Sequence, residues 1–133
     1  GQHLYMSDGT PVIDIRDPET FEVLHRGQVL LNGLPVPRLN ELECVGDYLY
    51  ANVWQTDMIL QIDKSNGAVI AVIDAAGLLT EEETAALANQ QQDVLNGIAN
   101  DPENDRFYIT GKRWPHVFEV RFVAASEEAA GGD

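Results

Sequence analysis

Basic residues are scarce in this sequence. Lys and Arg together number 8 against 22 Asp and Glu, which gives the 133-residue chain a formal net charge of −14. A surface this acidic repels phosphate backbones and anionic bilayers. We therefore expect no nucleic-acid partner and no attachment to a membrane surface.

Cysteine and long hydrophobic runs are also nearly absent. Cys44 is the single cysteine, so no internal disulfide can form, and we expect its side chain to be a small buried apolar group. The histidines are not spaced as metal ligands, so we expect no metal site. No run approaches the roughly 18 apolar residues of a membrane span, and no signal peptide is evident. Because a signal peptide is removed on maturation, the compartment stays open.

A repeated pattern runs through most of the chain. Three segments each begin with an apolar residue followed by Tyr, cross a polar turn and enter a second apolar alternation. The opening pairs are Leu4-Tyr5, Leu49-Tyr50 and Phe107-Tyr108. The interval between the second and third pairs is longer than the interval between the first and second. The turn tetrads Asp17-Pro18-Glu19-Thr20 and Lys64-Ser65-Asn66-Gly67 separate runs rich in Val and Ile. The pattern predicts short antiparallel strands.

The middle segment predicts four strands, at about 40–46, 48–54, 57–63 and 68–74. Four-stranded units that repeat in this way are typical of propeller blades. The first segment begins at strand two of the pattern and the third ends after strand three, so we expect an all-β fold: a partial β-propeller of about two and a half blades. The missing part is expected in an N-terminal half, a second chain or a nicked partner, because open sheet edges are a liability.

One helix and one tail complete the predicted organisation. Thr80 and Glu83 form a capping box before an Ala-rich run, which predicts an inserted surface helix from about Glu81 to Asn89. Residues 124–133 are small and acidic, which is typical of disorder. We therefore assign 1–123 to the partial propeller and 124–133 to a disordered tail.

The most prominent polar and aromatic residues fall at strand ends. Asn40 starts the first strand of the middle unit and Trp54 ends the second, so antiparallel pairing should bring them together. The same reasoning places Asn96 beside Lys112 in the next unit, at the same mouth of the channel. Alternatives remain open at this point: Trp54 as an inter-blade packing residue, Lys112 as a solvated cation and Asn40 as a turn cap. Glu41 is the nearest carboxylate candidate.

The chain also resembles a known family. The runs "LNELECVGDYLYANVWQTDMILQID", "DVLNGIAND", "FYITGKRWPHVFEV" and "YMSDGT" are similar to glutaminyl cyclases of the plant and bacterial type, also called glutamine cyclotransferases. The resemblance covers residues 4 to about 120. It implies a five-bladed β-propeller enzyme, secreted or periplasmic, that converts the N-terminal glutamine of peptides and proteins to pyroglutamate and releases ammonia without a cofactor.

The resemblance also implies roles for individual residues. Asn40, Trp54 and Lys112 match the family's active-site Asn, Trp and Lys. We expect Lys112 and Asn40 to be catalytic, and the substrate-binding residues to be Trp54, Glu41, Asn96 and Trp114. The family's essential glutamate lies in upstream blades that this sequence does not contain. A non-catalytic peptide-binding or scaffold module is therefore the alternative function.

Overall fold

Short antiparallel strands account for nearly all the regular structure. The computed structural model describes residues 3–87 and 94–122. Within those ranges the strands are β1 (Leu4–Ser7), β2 (Val12–Arg16), β3 (Val23–Gln28), β4 (Leu30–Leu31), β5 (Leu34–Pro35), β6 (Leu39–Val45), β7 (Tyr48–Val53), β8 (Met58–Asp63), β9 (Val69–Asp74), β10 (Leu95–Asp101), β11 (Arg106–Gly111) and β12 (Phe118–Val120), with one helix, α1 (Glu81–Ala85). The predicted all-β class is confirmed.

The middle unit is a four-stranded antiparallel sheet in the order β6-β7-β8-β9. Each strand boundary lies within one residue of its predicted position. The first unit, β1-β2-β3, and the third unit, β10-β11-β12, are three-stranded antiparallel sheets. β1 contacts β6 of the next sheet in the same way that β7, the second strand of the middle sheet, contacts β10 of the third sheet. This supports the interpretation that β1 corresponds to the second strand of its unit.

Aspartates build the predicted turns. The Asp17 carboxylate accepts hydrogen bonds from the backbone N–H groups of Glu19 and Thr20 at 2.7 and 2.9 Å. Asp63 likewise accepts from the backbone and hydroxyl of Ser65 at 2.8 and 2.6 Å. These bonds favour the charged form and lower the pKa of both carboxyls. Both turns therefore occur where the sequence predicts them.

The helix α1 begins with the predicted capping box. The Thr80 hydroxyl accepts from the Glu83 backbone N–H, and the Glu83 carboxylate accepts from that of Thr80. No residue of α1 is buried, as expected for a surface insertion. The helix is shorter than predicted, because it ends at Ala85 with Ala86 as its C-cap. Asn89 and the predicted tail at 124–133 lie outside the described residues. No described helix is long and apolar enough to span a membrane.

A two-stranded hairpin, β4–β5, is absent from the sequence-based prediction. Its turn residues are Asn32 and Gly33, with φ of 53° and 80°. Positive φ at both positions is the geometry of a type I′ turn, which favours the Asn-Gly dipeptide. The signal was therefore present in the sequence, but each strand has only two residues.

Two hydrophobic clusters hold the sheets together. The first joins the first and middle sheets through Ile13, Val29, Leu39, Leu49, Ala51, Val53, Leu60 and Ile62. The second joins the middle and third sheets through Ile59, Ala75, Leu95, Ile98, Phe107 and Ile109. Full burial of one such large aliphatic side chain contributes about 1.5–3 kcal/mol. The middle sheet is therefore buried on both faces.

The expectation of a buried Cys44 is wrong, because the side chain is exposed. Cys44 lies near the end of β6 and lines an open cleft with Tyr5 and Lys64. Leu39 at the start of β6 is in the first cluster, and Leu42 packs against it. Cys44 therefore lies beyond the edge of the first cluster, whereas the next residue, Val45, packs against the second cluster on the opposite face of the strand.

Candidate active site

The predicted site residues lie where strands of the middle and third sheets begin and end. Leu39 pairs with Val53, and the Trp54 backbone N–H donates to the Arg38 carbonyl at 2.8 Å. The Lys112 N–H donates to the Val94 carbonyl at 3.0 Å in the third sheet. The backbone thus places Asn40 near Trp54, and Asn96 near Lys112, as the strand order predicts.

Asn40 is the point at which three sheets meet. Its side-chain Nδ2 donates to Oδ1 of Asn96 at 2.7 Å, so the first strands of two neighbouring sheets are joined by an amide pair. Its backbone carbonyl accepts from the Ser7 hydroxyl at 2.7 Å. Both asparagines are partly buried. The side-chain bond confirms the predicted convergence of Asn40 and Asn96.

A bulge surrounds each of these asparagines. The register of β6 against β7 shifts between Leu39 and Leu42, and that of β10 against β11 shifts between Leu95 and Gly97. Bulges re-aim side chains and are common beside active sites. The register shift in β10 includes Asn96, so both partners of the amide pair lie in irregular backbone.

A cleft of about 550 Å³ opens beside Asn40. Its lining residues are Ser7, Asp8, Gly9, Arg38, Leu39, Asn40 and Trp54. Trp54 is partly buried, and among the described residues it is not in either hydrophobic cluster. The structure therefore places Trp54 on the wall of a cleft and not in the packing between sheets.

Asp8 brings a negative charge to this cleft. Its carboxylate accepts from the hydroxyl and the backbone N–H of Thr10 at 2.6 and 3.0 Å. These bonds to Thr10, with the hydroxyl contributing most, lower the pKa of Asp8. The group therefore stays ionised at neutral pH, although its main structural role is in the turn.

Left-handed backbone flanks the site. Arg38 and Gln55 have φ of 64° and 67°, and their side chains share a hydrogen bond of 3.3 Å. Arg113, which follows Lys112, has φ of 60°. Non-glycine residues in this region are strained, and such strain clusters at functional sites. The residues after Trp54 and after Lys112 thus share one backbone conformation.

Lys112 presents an exposed side chain at the end of β11. Within residues 3–87 and 94–122 its ammonium group is in none of the observed ion pairs. Glu41 is also exposed. Neither observation tests a catalytic or binding role, and both assignments stay predictions.

Trp114 packs into the second cluster, with its ring 6.3 Å from that of Phe118 in an edge-on arrangement. A Cβ at Gly111 would lie 2.2 Å from the Trp114 indole, so only glycine fits there. The residue has a clear packing role. Its predicted contact with substrate stays a prediction.

Asn52 is a residue that the sequence analysis does not single out. Its side chain is 0% exposed, and neither amide atom has a hydrogen-bond partner in the described part of the chain. The repeat offers a signal, because Ser7, Asn52 and Thr110 all stand two residues after the Tyr of their segment. Each unit therefore has a polar side chain at this position.

Comparison with known proteins identifies the family. The family model described as glutamine cyclotransferase matches residues 1–122. The chain belongs to the glutamine cyclotransferase family. It is 37% identical over 131 residues to the glutaminyl-peptide cyclotransferase of Arabidopsis thaliana, covering 97% of this chain and 40% of that protein.

A solved structure of the same family supports the fold. The crystal structure of Myxococcus xanthus glutaminyl cyclase matches with a TM-score of 0.85 and 41% sequence identity, over 91% of this chain and 51% of that one. The resemblance drawn from the sequence motifs is therefore confirmed. This chain spans about two fifths to one half of the length of these relatives.

Proposed function

We propose that the protein containing this chain is a glutaminyl-peptide cyclotransferase, which converts N-terminal glutamine to pyroglutamate. The observation that carries the proposal is the Asn40–Asn96 amide pair beside the Trp54 cleft, in a chain of the glutamine cyclotransferase family. Lys112 extends from the neighbouring strand end. These residues supply one wall of an active site for a small polar group.

The reaction needs positioning more than chemical activation. The α-amine attacks the side-chain carboxamide carbon of the same residue, forming a C–N bond while the bond to the amide nitrogen breaks. Because the two groups are tethered, holding a near-attack conformer supplies much of the acceleration. The ammonium proton must leave, the oxyanion must be stabilised and the departing nitrogen must gain a proton to leave as ammonia.

Lys112 suits the oxyanion. Its ammonium is a compact positive charge on a flexible stem, and its strand-end position leaves it exposed. Such a donor acts chiefly in the transition state, when negative charge develops on the carbonyl oxygen. We assign it the stabilisation of that charge.

Asn40 suits the amine. Because Nδ2 donates to Asn96, the carbonyl Oδ1 of Asn40 is left to accept a hydrogen bond from the substrate's amino group. The Asn96 amide thereby fixes which end of Asn40 faces the cleft. Glu41 and Trp114 are proposed as further substrate contacts on the family resemblance.

The proton transfer itself needs a carboxylate, which the family resemblance assigns to blades upstream of this chain. We propose that those blades come from the remainder of the protein or from a complementing chain, and that the sheets described here belong to a five-bladed propeller. The packing of three successive antiparallel sheets supports this arrangement. The family resemblance supports a secreted or periplasmic location.

The test is the conversion of a glutaminyl dipeptide by the protein that contains this chain. We expect the product to lose the mass of ammonia and to carry a blocked N terminus. Binding of the dipeptide without turnover would contradict the proposal and favour a peptide-binding module. Asn40→Ala should abolish most of the turnover in a protein that still folds.

Trp54 gives a separate prediction, because its contacts exist already in the bound substrate. Trp54→Ala should raise the KM for the dipeptide and lower kcat, by about tenfold in kcat/KM or more. Tyr48→Ala is the matched control, since it removes an exposed aromatic from the opposite end of the same strand. Equal effects of the two changes would remove Trp54 from the binding site.

A further inference from the structure

Arg38 is the basic residue in the lining of the Trp54 cleft, which Asn40 also lines. Its side chain is exposed, and within residues 3–87 and 94–122 its guanidinium is in none of the observed ion pairs. The Nη1 group donates to Oε1 of Gln55 at 3.3 Å. An Arg side chain has five N–H donors, so this bond leaves most of them for a ligand.

The backbone fixes the place of Arg38 on the cleft wall. Its N–H donates to the Gly9 carbonyl at 2.7 Å, and its carbonyl accepts from the Trp54 N–H at 2.8 Å. Its φ of 64° lies in the left-handed region, at a cost that glycine would not incur. Such strain persists where the surrounding structure enforces it, and it is common at ligand-binding sites. The guanidinium therefore extends from a well-defined point beside Asn40.

The cleft also holds a negative charge that Arg38 does not neutralise. Asp8 lines the cleft, and its bonds from the hydroxyl and backbone N–H of Thr10 lower its pKa, so it is ionised. Asp8 and Arg38 form no ion pair with each other in the described part of the chain. The cleft thus presents a carboxylate and a guanidinium. This arrangement complements a ligand that carries both an ammonium and a carboxylate.

The spacing of Asn40 and Arg38 matches the beginning of a peptide. The two residues are two positions apart in the chain, so their Cα atoms are at most about 7 Å apart. An extended peptide covers the same distance in two residues. With the substrate's amine at Asn40, as proposed above, a carboxylate on the second residue of the peptide is within reach of Arg38.

We propose that Arg38 is a specificity-determining residue that binds a carboxylate on the residue after the N-terminal glutamine. The inference rests on the proposed function, which supplies the position of the amine. The planar guanidinium pairs with a carboxylate through two parallel hydrogen bonds. The carboxylate is the α-carboxylate of a dipeptide or the side chain of Glu or Asp in a longer peptide. Because this charge exists before the reaction, Arg38 acts on binding and not on the chemical step.

The first experiment compares peptides that differ by this one charge. Glutaminyl-alanine against its amide tests the α-carboxylate, and glutaminyl-glutamate amide against glutaminyl-glutamine amide tests the side chain. We expect the KM of at least one acid to be about tenfold lower than that of its neutral counterpart, with similar kcat. The pair that shows the difference identifies the carboxylate, and added salt should reduce the difference. Equal KM values within both pairs would overturn the proposal.

The second experiment removes the charge from the protein. Arg38→Met keeps most of the stem and the same backbone strain, so it should raise the KM of the acid about tenfold and leave that of the neutral peptide unchanged. Arg38→Lys, which keeps the charge without the planar fork, should retain part of the preference.

Arg121→Met is the control for net charge. Arg121 is exposed and follows β12, at the end of the third sheet away from Lys112, so its loss should leave the preference unchanged. Equal losses for acid and neutral peptides in Arg38→Met would reduce Arg38 to a structural residue. The same loss of preference in Arg121→Met would assign the preference to net charge.

Binding measurements separate this proposal from the proposed function. Asparaginyl counterparts of the four peptides cannot close a five-membered ring, so titration calorimetry measures their affinity without turnover. Tighter binding of the acid, lost in Arg38→Met, would support the carboxylate site even if the folded protein formed no pyroglutamate, a result that would refute the proposed function alone. Pyroglutamate formation with equal affinity for acid and neutral peptides would refute the role of Arg38 alone.

Discussion

Lys112→Met is expected to lower kcat for pyroglutamate formation by about 10²-fold or more while changing KM far less. The reason is that negative charge on the carboxamide oxygen exists only in the transition state. A cation placed against that oxygen therefore stabilises the transition state more than the bound substrate. Methionine keeps most of the lysine stem, so packing changes little.

The measurement is steady-state conversion of a glutaminyl dipeptide, with folding confirmed by a melting curve for each variant. Lys112→Ala should give a similar loss of kcat, because the charge and not the stem is responsible. Arg26→Met is the charge-matched control, since Arg26 pairs with Asp14 on the first sheet. Near-normal turnover in Lys112→Met would exclude Lys112 from the mechanism.

Most of the fold follows from local signals in the sequence. The four strands of the middle sheet, the Asp17 turn and the Thr80–Glu83 capping box all occur where the pattern predicts them. Each depends on residues close together in the chain. The hairpin at Asn32-Gly33 has an equally local signal, but its strands are too short for alternation to be recognised.

The site is only partly predictable, because its geometry depends on packing between sheets. Strand order is enough to bring Asn40 towards Trp54, and the common orientation of repeated units brings Asn40 towards Asn96. Alternation in β7 identifies Leu49, Ala51 and Val53 as a core face, but it does not reveal that the opposite face, with Asn52, is covered by the third sheet. The bulges at Asn40 and Asn96 likewise have no signal in residue periodicity.

The Gly67 position shows the same dependence on long-range packing, with a measurable consequence. The turn tetrad predicts glycine at this point, and the residue has φ of 74°. The structure adds a contact that the tetrad does not reveal. A Cβ at Gly67 would lie 2.3 Å from the backbone carbonyl oxygen of Gln28, and the Leu30 N–H donates to the Gly67 carbonyl at 3.0 Å.

Gly67→Ala is therefore expected to lower the free energy of unfolding by about 3 kcal/mol or more. Left-handed backbone costs alanine about 1–2 kcal/mol, and forcing extra volume into a packed contact adds about 1–3 kcal/mol. The clash is with backbone, so no side-chain rotation relieves it. Denaturant unfolding of the two proteins measures the difference.

Gly46→Ala is the control that measures the backbone part of this cost alone. Gly46 has φ of 59°, and a Cβ there meets nothing within 4 Å, so only the backbone penalty of about 1–2 kcal/mol applies. The excess loss in Gly67→Ala then measures the contact between the β8–β9 turn and Gln28 at the end of β3. Equal losses in the two variants would show that this contact does not constrain the fold.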